Sequence, residues 1–237
     1  MFVNLNCPNC GAGLPPAFNL SGVVKCDYCG TSFRVPETLT PEPDMDDLLL
    51  GADFNKKPIP SWQFQNEEKI SLIPGPTPEL RARFEKSNLV HYVLFSSGVF
   101  DNMDASITLR FLSGDPKWIR AGLFLRYTPS LGGYGFFVSA QATYMFGYYT
   151  KSANAELAWT TAIDWAANAS LRAGLEQANR LRVIVKGNRI QIYLNGALTS
   201  SFADGRFDVG QVRLAVEPSE NSDIEVAFSD LQIRGVK

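Results

Sequence analysis

The fold is decided by a stretch near the C-terminus that reads Leu181-Arg182-Val183-Ile184-Val185-Lys186-Gly187-Asn188-Arg189-Ile190-Gln191-Ile192-Tyr193-Leu194-Asn195-Gly196. Apolar and polar side chains alternate on both sides of Gly187-Asn188, which is typical of strands with one buried face. Gly187-Asn188 and Asn195-Gly196 are residue pairs that tolerate the positive φ angles of two-residue hairpin turns. The stretch therefore predicts three successive antiparallel strands, over residues 181–186, 189–194 and 197–202.

The same two-residue period extends outward from this stretch. Further strand-like runs cover residues 80–85, 89–95, 105–112, 119–127, 134–139, 143–149, 211–216 and 223–233. Roughly eleven or twelve antiparallel strands in about 180 residues predict a mainly β protein built as a two-sheet sandwich. Only 153–158 and 164–178 have helix-friendly composition, and the second lacks a sustained apolar stripe, so we expect a loop with one helical turn there.

Glycines, turn asparagines and alternating apolar residues recur in an order that is similar to a known family. The segments that carry the likeness are 121–127, 134–139, 179–196, Asp204, 210–214 and 226–231. Over most of residues 62–236 the chain resembles the concanavalin A-like jelly roll, most closely its laminin-G-like and keto-disaccharide-hydrolase-like group. The resemblance implies a jelly-roll sandwich with a concave sheet, on which many relatives bind or cleave glycans.

Six side chains are candidates for a ligand-binding face on that sheet. Exposed aromatic rings stack on the faces of sugars, and arginines on the polar face of a sheet donate hydrogen bonds. The candidates are Arg110, Arg126, Tyr134, Tyr144, Tyr148 and Arg182. Aromatic pairs in a sandwich also arise from cross-strand packing in the core, and that interpretation stays open.

The sequence predicts no catalytic residues. Glycosidases of this fold carry carboxylates that alternate along one strand, with a retaining pair about 5 Å apart. Here the acids lie on different elements, namely Glu156, Glu217, Glu225 and Asp230. The single histidine, His91, lies beside Tyr92 in an apolar run and is interpreted as a packed residue rather than a general base.

These observations favour a non-catalytic recognition protein whose jelly roll binds a protein or a carbohydrate-like ligand on its concave sheet. Two alternatives stay open. One is a hydrolase that acts on glycosides or modified disaccharides, which only the family resemblance supports. The other is a scaffold subunit whose sandwich packs against neighbours, so self-association also stays open.

All four cysteines lie close to the N-terminus, at Cys7, Cys10, Cys26 and Cys29. Two C-x2-C pairs separated by fifteen residues have the spacing of metal ligands, and four thiolates make a closed, structural zinc site. Two disulfides are the less favoured alternative, because such short pairs make poor disulfides in a reducing compartment. Residues 4–36 resemble the zinc-ribbon family in the pattern Cys-Pro-x-Cys-Gly followed by Cys-x-Tyr-Cys-Gly, which implies one structural Zn²⁺.

The charge and hydropathy patterns exclude several classes of partner. The formal net charge is −2, and residues 1–36 carry only Lys25 and Arg34 against Asp27, so nucleic-acid binding is not favoured. No run of about 18 apolar residues and no basic segment before an apolar one occurs, so we expect a cytoplasmic protein without membrane insertion.

The composition divides the chain into three parts. We expect a zinc ribbon over 1–36, an acidic, proline-rich linker over 37–58 and the jelly-roll sandwich over 59–237. Within the linker, the segment Asp46 to Leu50 is interpreted as one helical turn that covers an exposed edge. The alternative is a peptide that docks on a partner or on the larger domain.

Overall fold

The computed structural model describes residues 23–25, 28–29, 32–34, 45–151 and 157–236. Within these residues the chain is almost entirely β, with one short 3-10 helix at Glu67–Lys69. The strands, in chain order, are β1 Val23–Lys25, β2 Ser32–Arg34, β3 Met45–Gly51, β4 Trp62–Phe64, β5 Ile70–Ile73, β6 Glu79–Phe84, β7 His91–Ser96, β8 Met103–Ser113, β9 Arg120–Thr128, β10 Gly132–Ser139, β11 Thr143–Lys151, β12 Leu157–Ala167, β13 Ala178–Lys186, β14 Arg189–Leu194, β15 Ala197–Ala203, β16 Gln211–Glu217 and β17 Ile224–Val236.

Two antiparallel sheets form the sandwich. The seven-stranded sheet has the order β12-β11-β10-β9-β16-β7-β4, and the eight-stranded sheet has the order β15-β14-β13-β8-β17-β6-β5. The core lies between them, where Leu123 and Phe136 of the first sheet belong to one buried cluster with Ile107, Val183 and Phe228 of the second. The mainly β, two-sheet sandwich predicted from the sequence is confirmed.

The stretch that decided the fold forms the predicted meander of β13, β14 and β15. Ile184 pairs with Gln191 across the first hairpin, and Ile192 pairs with Ser200 across the second pair of strands. The turns have the expected positive φ angles, 56° at Gly187, 48° at Asn195 and 86° at Gly196. Local turn chemistry therefore sets the register of this half of the sheet.

Strand β12 covers Leu157–Ala167, where we did not predict a strand, whereas residues 168–177 between β12 and β13 form the loop that we expected. β12 pairs with β11 along its length, from Leu157 opposite Lys151 to Ala167 opposite Thr143. A pair of register shifts on the two sides of Ile163 turns Ile163 toward the core, while Trp159 and Trp165 both lie on the opposite face of the sheet. This irregularity breaks the two-residue period, which is why the pattern did not indicate a strand.

Strand β3 replaces the helical turn that we expected at Asp46 to Leu50. Leu50 pairs with Ile233 in the C-terminal half of β17, beyond the half that β6 covers. β3 thereby satisfies backbone groups of β17 that would otherwise form an open edge. Trp62 fixes the end of β3, since its Nε1 donates to the Gly51 carbonyl over 3.1 Å.

Met45–Gly51, which we expected to be part of the linker, is thus a strand of the sandwich. This agrees with the alternative that Asp46 to Leu50 docks on the larger domain. The boundaries 1–36, 37–58 and 59–237 otherwise stay predictions.

The predicted zinc ligands fall mostly outside the described residues. Cys7, Cys10 and Cys26 lie there, whereas Cys29 lies in an exposed turn between β1 and β2. These two strands pair as a hairpin, with Val24 opposite Phe33. Among the described residues, no helix has the length and apolar character needed to cross a membrane.

Candidate functional site

The outer face of the seven-stranded sheet carries a second cluster of aromatic side chains, here called the aromatic face. On β9, Leu123 and Leu125 point into the core, while Phe124 between them points outward. The cluster consists of Val90, Tyr92, Phe124, Tyr127, Phe137, Met145, Tyr149, Trp159, Trp165 and Ala215. Phe124 and Phe137 are buried, whereas Tyr92, Tyr149, Trp159 and Trp165 are half-buried and offer ring surface to solvent.

Phe124 lies at the centre of the aromatic face. Its ring centroid lies 5.4 Å from Tyr92, 5.7 Å from Tyr127, 5.5 Å from Phe137 and 5.8 Å from Tyr149. Three of these pairs meet edge to face and the pair with Tyr149 is stacked, which are the favourable geometries for aromatic rings. The rings therefore form a packed layer whose geometry is set before any ligand arrives.

Two glycines form the floor beneath Trp159. A Cβ on Gly135 would lie 2.9 Å from Cη2 of Trp159, and a Cβ on Gly147 would lie 2.4 Å from its Cζ2. The indole thus occupies space that any side chain at these positions would fill. Its edge meets the ring of Tyr149 at a centroid distance of 4.9 Å.

Arg213 on β16 lies inside the aromatic face. Its guanidinium carbon lies 4.2 Å from the ring centre of Tyr127, 4.9 Å from Tyr92 and 5.2 Å from Phe95. Its Nη2 donates to Oε1 of Gln211 over 2.7 Å, and its Nε has no hydrogen-bond partner among the described residues. Burial lowers the pKa of Arg213, and Tyr127 and Tyr92 partly oppose that change.

An ion pair lies at the opposite end of the same strands. Nη1 of Arg120 lies 3.1 Å from Oε1 of Glu217, and the guanidinium of Arg120 lies 4.9 Å from the ring centre of Trp165. Burial raises the pKa of Glu217, although Arg120 acts in the other direction. Burial, followed by the charge of Glu217, also raises the pKa of Tyr149. The pair offers both a donor and an acceptor beside aromatic surface.

The described strands of this sheet do not bring two carboxylates together. They carry Asp164 on β12 and Glu217 on β16, with β11, β10 and β9 between them. Four strand spacings separate the two backbones by about 19 Å. That distance exceeds the roughly 5–9.5 Å that glycosidases need between their two carboxyl groups.

Two of the six predicted ligand residues are structural instead. Arg126 is 2% exposed and donates to the carbonyl oxygens of Asp101, Gly187 and Phe207, each at 2.8 Å. Tyr134 is fully buried, and its hydroxyl donates to Oδ1 of Asp204 over 2.8 Å. The prediction that these residues line an open face is wrong, because their polar groups are used to join loops at one end of the sandwich.

Tyr144 and Tyr148 lie on the core side of β11. The Tyr144 hydroxyl is 3.2 Å from the hydroxyl of Ser200, and the guanidinium carbon of Arg206 lies 4.1 Å from the ring centre of Tyr148. Tyr144 is buried and Tyr148 packs against the core cluster. Both rings therefore pack on the core side, as the alternative of cross-strand packing had it, and neither belongs to the aromatic face.

Arg110 and Arg182 lie on the eight-stranded sheet and so face away from the aromatic face. Arg110 forms ion pairs with Glu79, at 2.6 Å, and with Glu176. Nε of Arg182 lies 2.9 Å from Oδ1 of Asp104. The structure therefore does not bring the six predicted residues together on one face.

None of the six predicted ligand residues belongs to the aromatic face. A signal was present in Leu123-Phe124-Leu125, where apolar residues occupy both faces of one strand and so indicate that both faces are covered. His91 is packed, as the sequence predicted: its ring stacks on Phe84 at 4.4 Å, and burial lowers its pKa.

A family comparison identifies the sandwich. The family described as the 3-keto-alpha-glucoside-1,2-lyase-like domain matches residues 54–234. The chain belongs to this family. Its membership confirms the keto-disaccharide-hydrolase-like resemblance, while the zinc-ribbon resemblance stays a prediction. No curated protein matches the chain.

Solved structures similar to this 3-keto-alpha-glucoside-1,2-lyase-like domain share its fold. Carbohydrate binding module CBM66 from Bacillus subtilis is 17% identical with a TM-score of 0.53, covering 74% of this chain and 96% of its own. The catalytic domain of an endo-1,3-beta-glucanase (laminarinase) from Thermotoga petrophila is 11% identical with a TM-score of 0.57. The match covers 83% of this chain and 100% of the laminarinase domain. A Bacillus subtilis protein with a galectin-like fold is 11% identical with a TM-score of 0.56. The match covers 83% of this chain and 100% of that protein.

Proposed function

We propose that this protein is a non-catalytic carbohydrate-recognition protein that binds a saccharide on its aromatic face. The observation that carries the proposal is the layer of half-buried rings beside buried polar groups on the outer face of one sheet. Pyranose rings present a C–H face and equatorial hydroxyls, so they need an apolar surface and nearby donors and acceptors. The aromatic face offers both within one sheet.

Trp159 is the side chain best placed to stack on a sugar ring. Gly135 and Gly147 support one surface of the indole, and Tyr149 packs against its edge. Because these contacts already fix the ring, stacking would cost little side-chain entropy. Trp165 offers a second ring at the other end of β12.

Polar groups at the two ends of the aromatic face supply hydrogen bonds. Arg120 and Glu217 offer a donor and an acceptor in fixed geometry, which suits a pair of neighbouring hydroxyls. Gln211 and Arg213 are placed similarly at the other end. Hydroxyl groups of the ligand would therefore form hydrogen bonds at both ends of the stacking surface.

Binding without catalysis agrees with the positions of the carboxyl groups. Hydrolysis with two carboxylates requires them to flank one glycosidic bond, and Asp164 and Glu217 lie too far apart for that. The family membership and the fold shared with a carbohydrate-binding module and with a laminarinase support a saccharide as the ligand.

Affinity electrophoresis through gels that contain single polysaccharides tests the proposal. We expect at least one neutral or acidic polysaccharide to retard the protein, and we expect Trp159→Ala to remove most of that retardation. Tyr193→Ala is the matched control, because Tyr193 is an aromatic residue on β14 of the eight-stranded sheet. Retardation lost in Tyr193→Ala and kept in Trp159→Ala would move the site to the other sheet.

A second candidate is a lyase that acts on a 3-keto-glucoside, and the environment of Glu217 favours it. In such an elimination a base removes the C2 proton, which the C3 ketone acidifies. The C2–H electrons form the C1–C2 double bond while the C1–O bond breaks and the leaving oxygen takes up a proton. One base is enough, and the raised pKa of Glu217 suits proton transfer.

Incubation with a 3-keto-glucoside separates the two candidates. Turnover that is lost in Glu217→Gln would replace the recognition proposal with the lyase. We expect no turnover, together with polysaccharide binding that survives in the same preparation.

We also propose that the four cysteines hold one structural Zn²⁺. One described residue supports this proposal: Cys29 lies in the turn before β2, and a hairpin end is where a C-x2-C pair directs both thiolates to one ion. Binding of a protein partner, self-association and a cytoplasmic location remain predictions.

A further inference from the structure

Arg213 is a buried cation for which the described residues provide no carboxylate. Arg110, Arg120 and Arg182 on other strands each form an ion pair with Glu or Asp. Arg213 instead meets the rings of Tyr127 and Tyr92 and the amide oxygen of Gln211. Only 8% of its surface is exposed.

A comparison with Arg126 shows that burial alone does not explain this environment. Both arginines are buried, but three backbone carbonyls accept hydrogen bonds from Arg126, so its guanidinium is satisfied by the fold. Arg213 has one acceptor, and its Nε has none among the described residues. Buried donors are normally paired, so an unpaired one within a binding face indicates a missing acceptor. Cation–π contacts hold the charge but do not accept these N–H groups in the plane of the guanidinium.

We infer that Arg213 receives an oxyanion of the ligand, so that the saccharide bound on the aromatic face is an acidic one. This inference rests on the proposed function and specifies the class of saccharide. The anionic group is a carboxylate, as in a uronic acid, or a sulfate ester. Guanidinium groups bind both through charge-assisted hydrogen bonds.

The position of Arg213 also bears on the length of the ligand. Arg213 pairs with Phe124, Phe124 pairs with Gly135, and Gly135 pairs with Gly147. These paired residues form a row across the sheet, from Arg213 on β16 to the two glycines beneath Trp159 on β10 and β11. Three strand spacings make it about 14 Å long. A single sugar ring is shorter than this row, so the ligand that uses both ends is an oligosaccharide.

Matched pairs of polysaccharides test the inference. Polygalacturonate and polymannuronate are each compared with their carboxyl-reduced forms, and a sulfated galactan is compared with its desulfated form, by affinity electrophoresis and titration calorimetry. We expect at least one charged polymer to bind about tenfold more tightly than its neutral counterpart. The carboxylate and sulfate pairs distinguish the two sources of the oxyanion.

Variants assign that preference to Arg213. We expect Arg213→Gln to remove the preference for the charged polymer and Arg213→Lys to keep part of it, while circular dichroism verifies the fold. Arg180→Gln is the matched control, because Arg180 is an exposed arginine on β13 of the other sheet.

The outcomes separate failure of the inference from failure of the proposed function. Equal binding of charged and neutral members, lost together in Trp159→Ala, would overturn the acidic ligand and leave saccharide recognition in place. Binding of none of the polymers would overturn both. A charge preference that persists in Arg213→Gln would overturn the role of Arg213.

Discussion

The indole of Trp159 lies on Gly147, and the space that it fills exists because Gly147 has no side chain. The two residues belong to neighbouring strands, since Gly147 on β11 pairs with Thr161 on β12. A Cβ on Gly147 would lie 2.4 Å from the indole and 2.4 Å from the carbonyl oxygen of Thr160. The aromatic face therefore depends on a contact between the ring of Trp159 and a glycine on the neighbouring strand.

Gly135→Ala is expected to displace Trp159 without breaking the sheet. The new methyl group would meet only side chains, at 2.9 Å from Trp159 and 3.0 Å from Phe124. Such overpacking costs about 1–3 kcal/mol of unfolding free energy. Chemical denaturation followed by tryptophan fluorescence measures both the cost and the altered environment of the indole. A Gly135→Ala protein with unchanged fluorescence and unchanged polysaccharide binding would contradict the role given to this floor.

Arg126→Ala is expected to destabilise the sandwich without acting on ligand binding directly. The change leaves the carbonyls of Asp101, Gly187 and Phe207 without their donor and removes a buried side chain. We expect a loss of about 3–5 kcal/mol in unfolding free energy. Urea denaturation measures it, with Arg180→Ala as the control at an exposed position. If Arg126→Ala lost no more unfolding free energy than Arg180→Ala, the prediction would be contradicted, because the three carbonyl groups would then not depend on Arg126.

His91 is expected to titrate below the usual histidine pKa of 6.5, because burial lowers its pKa. It is the only histidine of the chain, so one set of imidazole NMR signals reports it. The unfolded chain binds the proton more readily than the folded one. Stability should therefore fall as the pH drops from 6.5 toward the lowered pKa. His91→Phe keeps the stacking on Phe84 and should reduce this loss. A pKa at or above 6.5 would contradict the burial argument.

Metal analysis of the purified protein is expected to find one zinc per chain. Cys29→Ser should remove the zinc while the unfolding midpoint of the sandwich stays unchanged, because structural zinc supplies folding energy locally. Tyr28→Ala is the control in the same turn, since Tyr28 is 79% exposed. Metal-free wild-type protein, or Cys29→Ser protein that keeps its zinc, would contradict the proposed site.

The sequence predicted those parts of the fold that local chemistry determines. Gly187, Asn195 and Gly196 determine their turns through backbone angles, so the meander of β13 to β15 followed from the pattern. β12 was missed because two register shifts in its pairing with β11 interrupt its two-residue period. β3 was missed because its partner, the far half of β17, lies at the other end of the chain.

The predicted ligand-binding face was assigned to the wrong side of its strands. Alternation shows that a strand has two faces but does not say which of them points inward. We assigned the face of Tyr134, Tyr144 and Tyr148 to ligand, and the structure turns that face to the core. The opposite parity on these two strands, which carries Phe137 and Tyr149, points outward.

A crystal structure with a bound oligosaccharide tests the central claim most directly. The oligosaccharide would be derived from the polysaccharide that binds most tightly. We predict a sugar ring stacked on Trp159, in van der Waals contact at about 4 Å, with a polar group of the ligand at Arg213. A saccharide bound on the eight-stranded sheet near Arg110 or Arg182, with nothing on the aromatic face, would contradict the account.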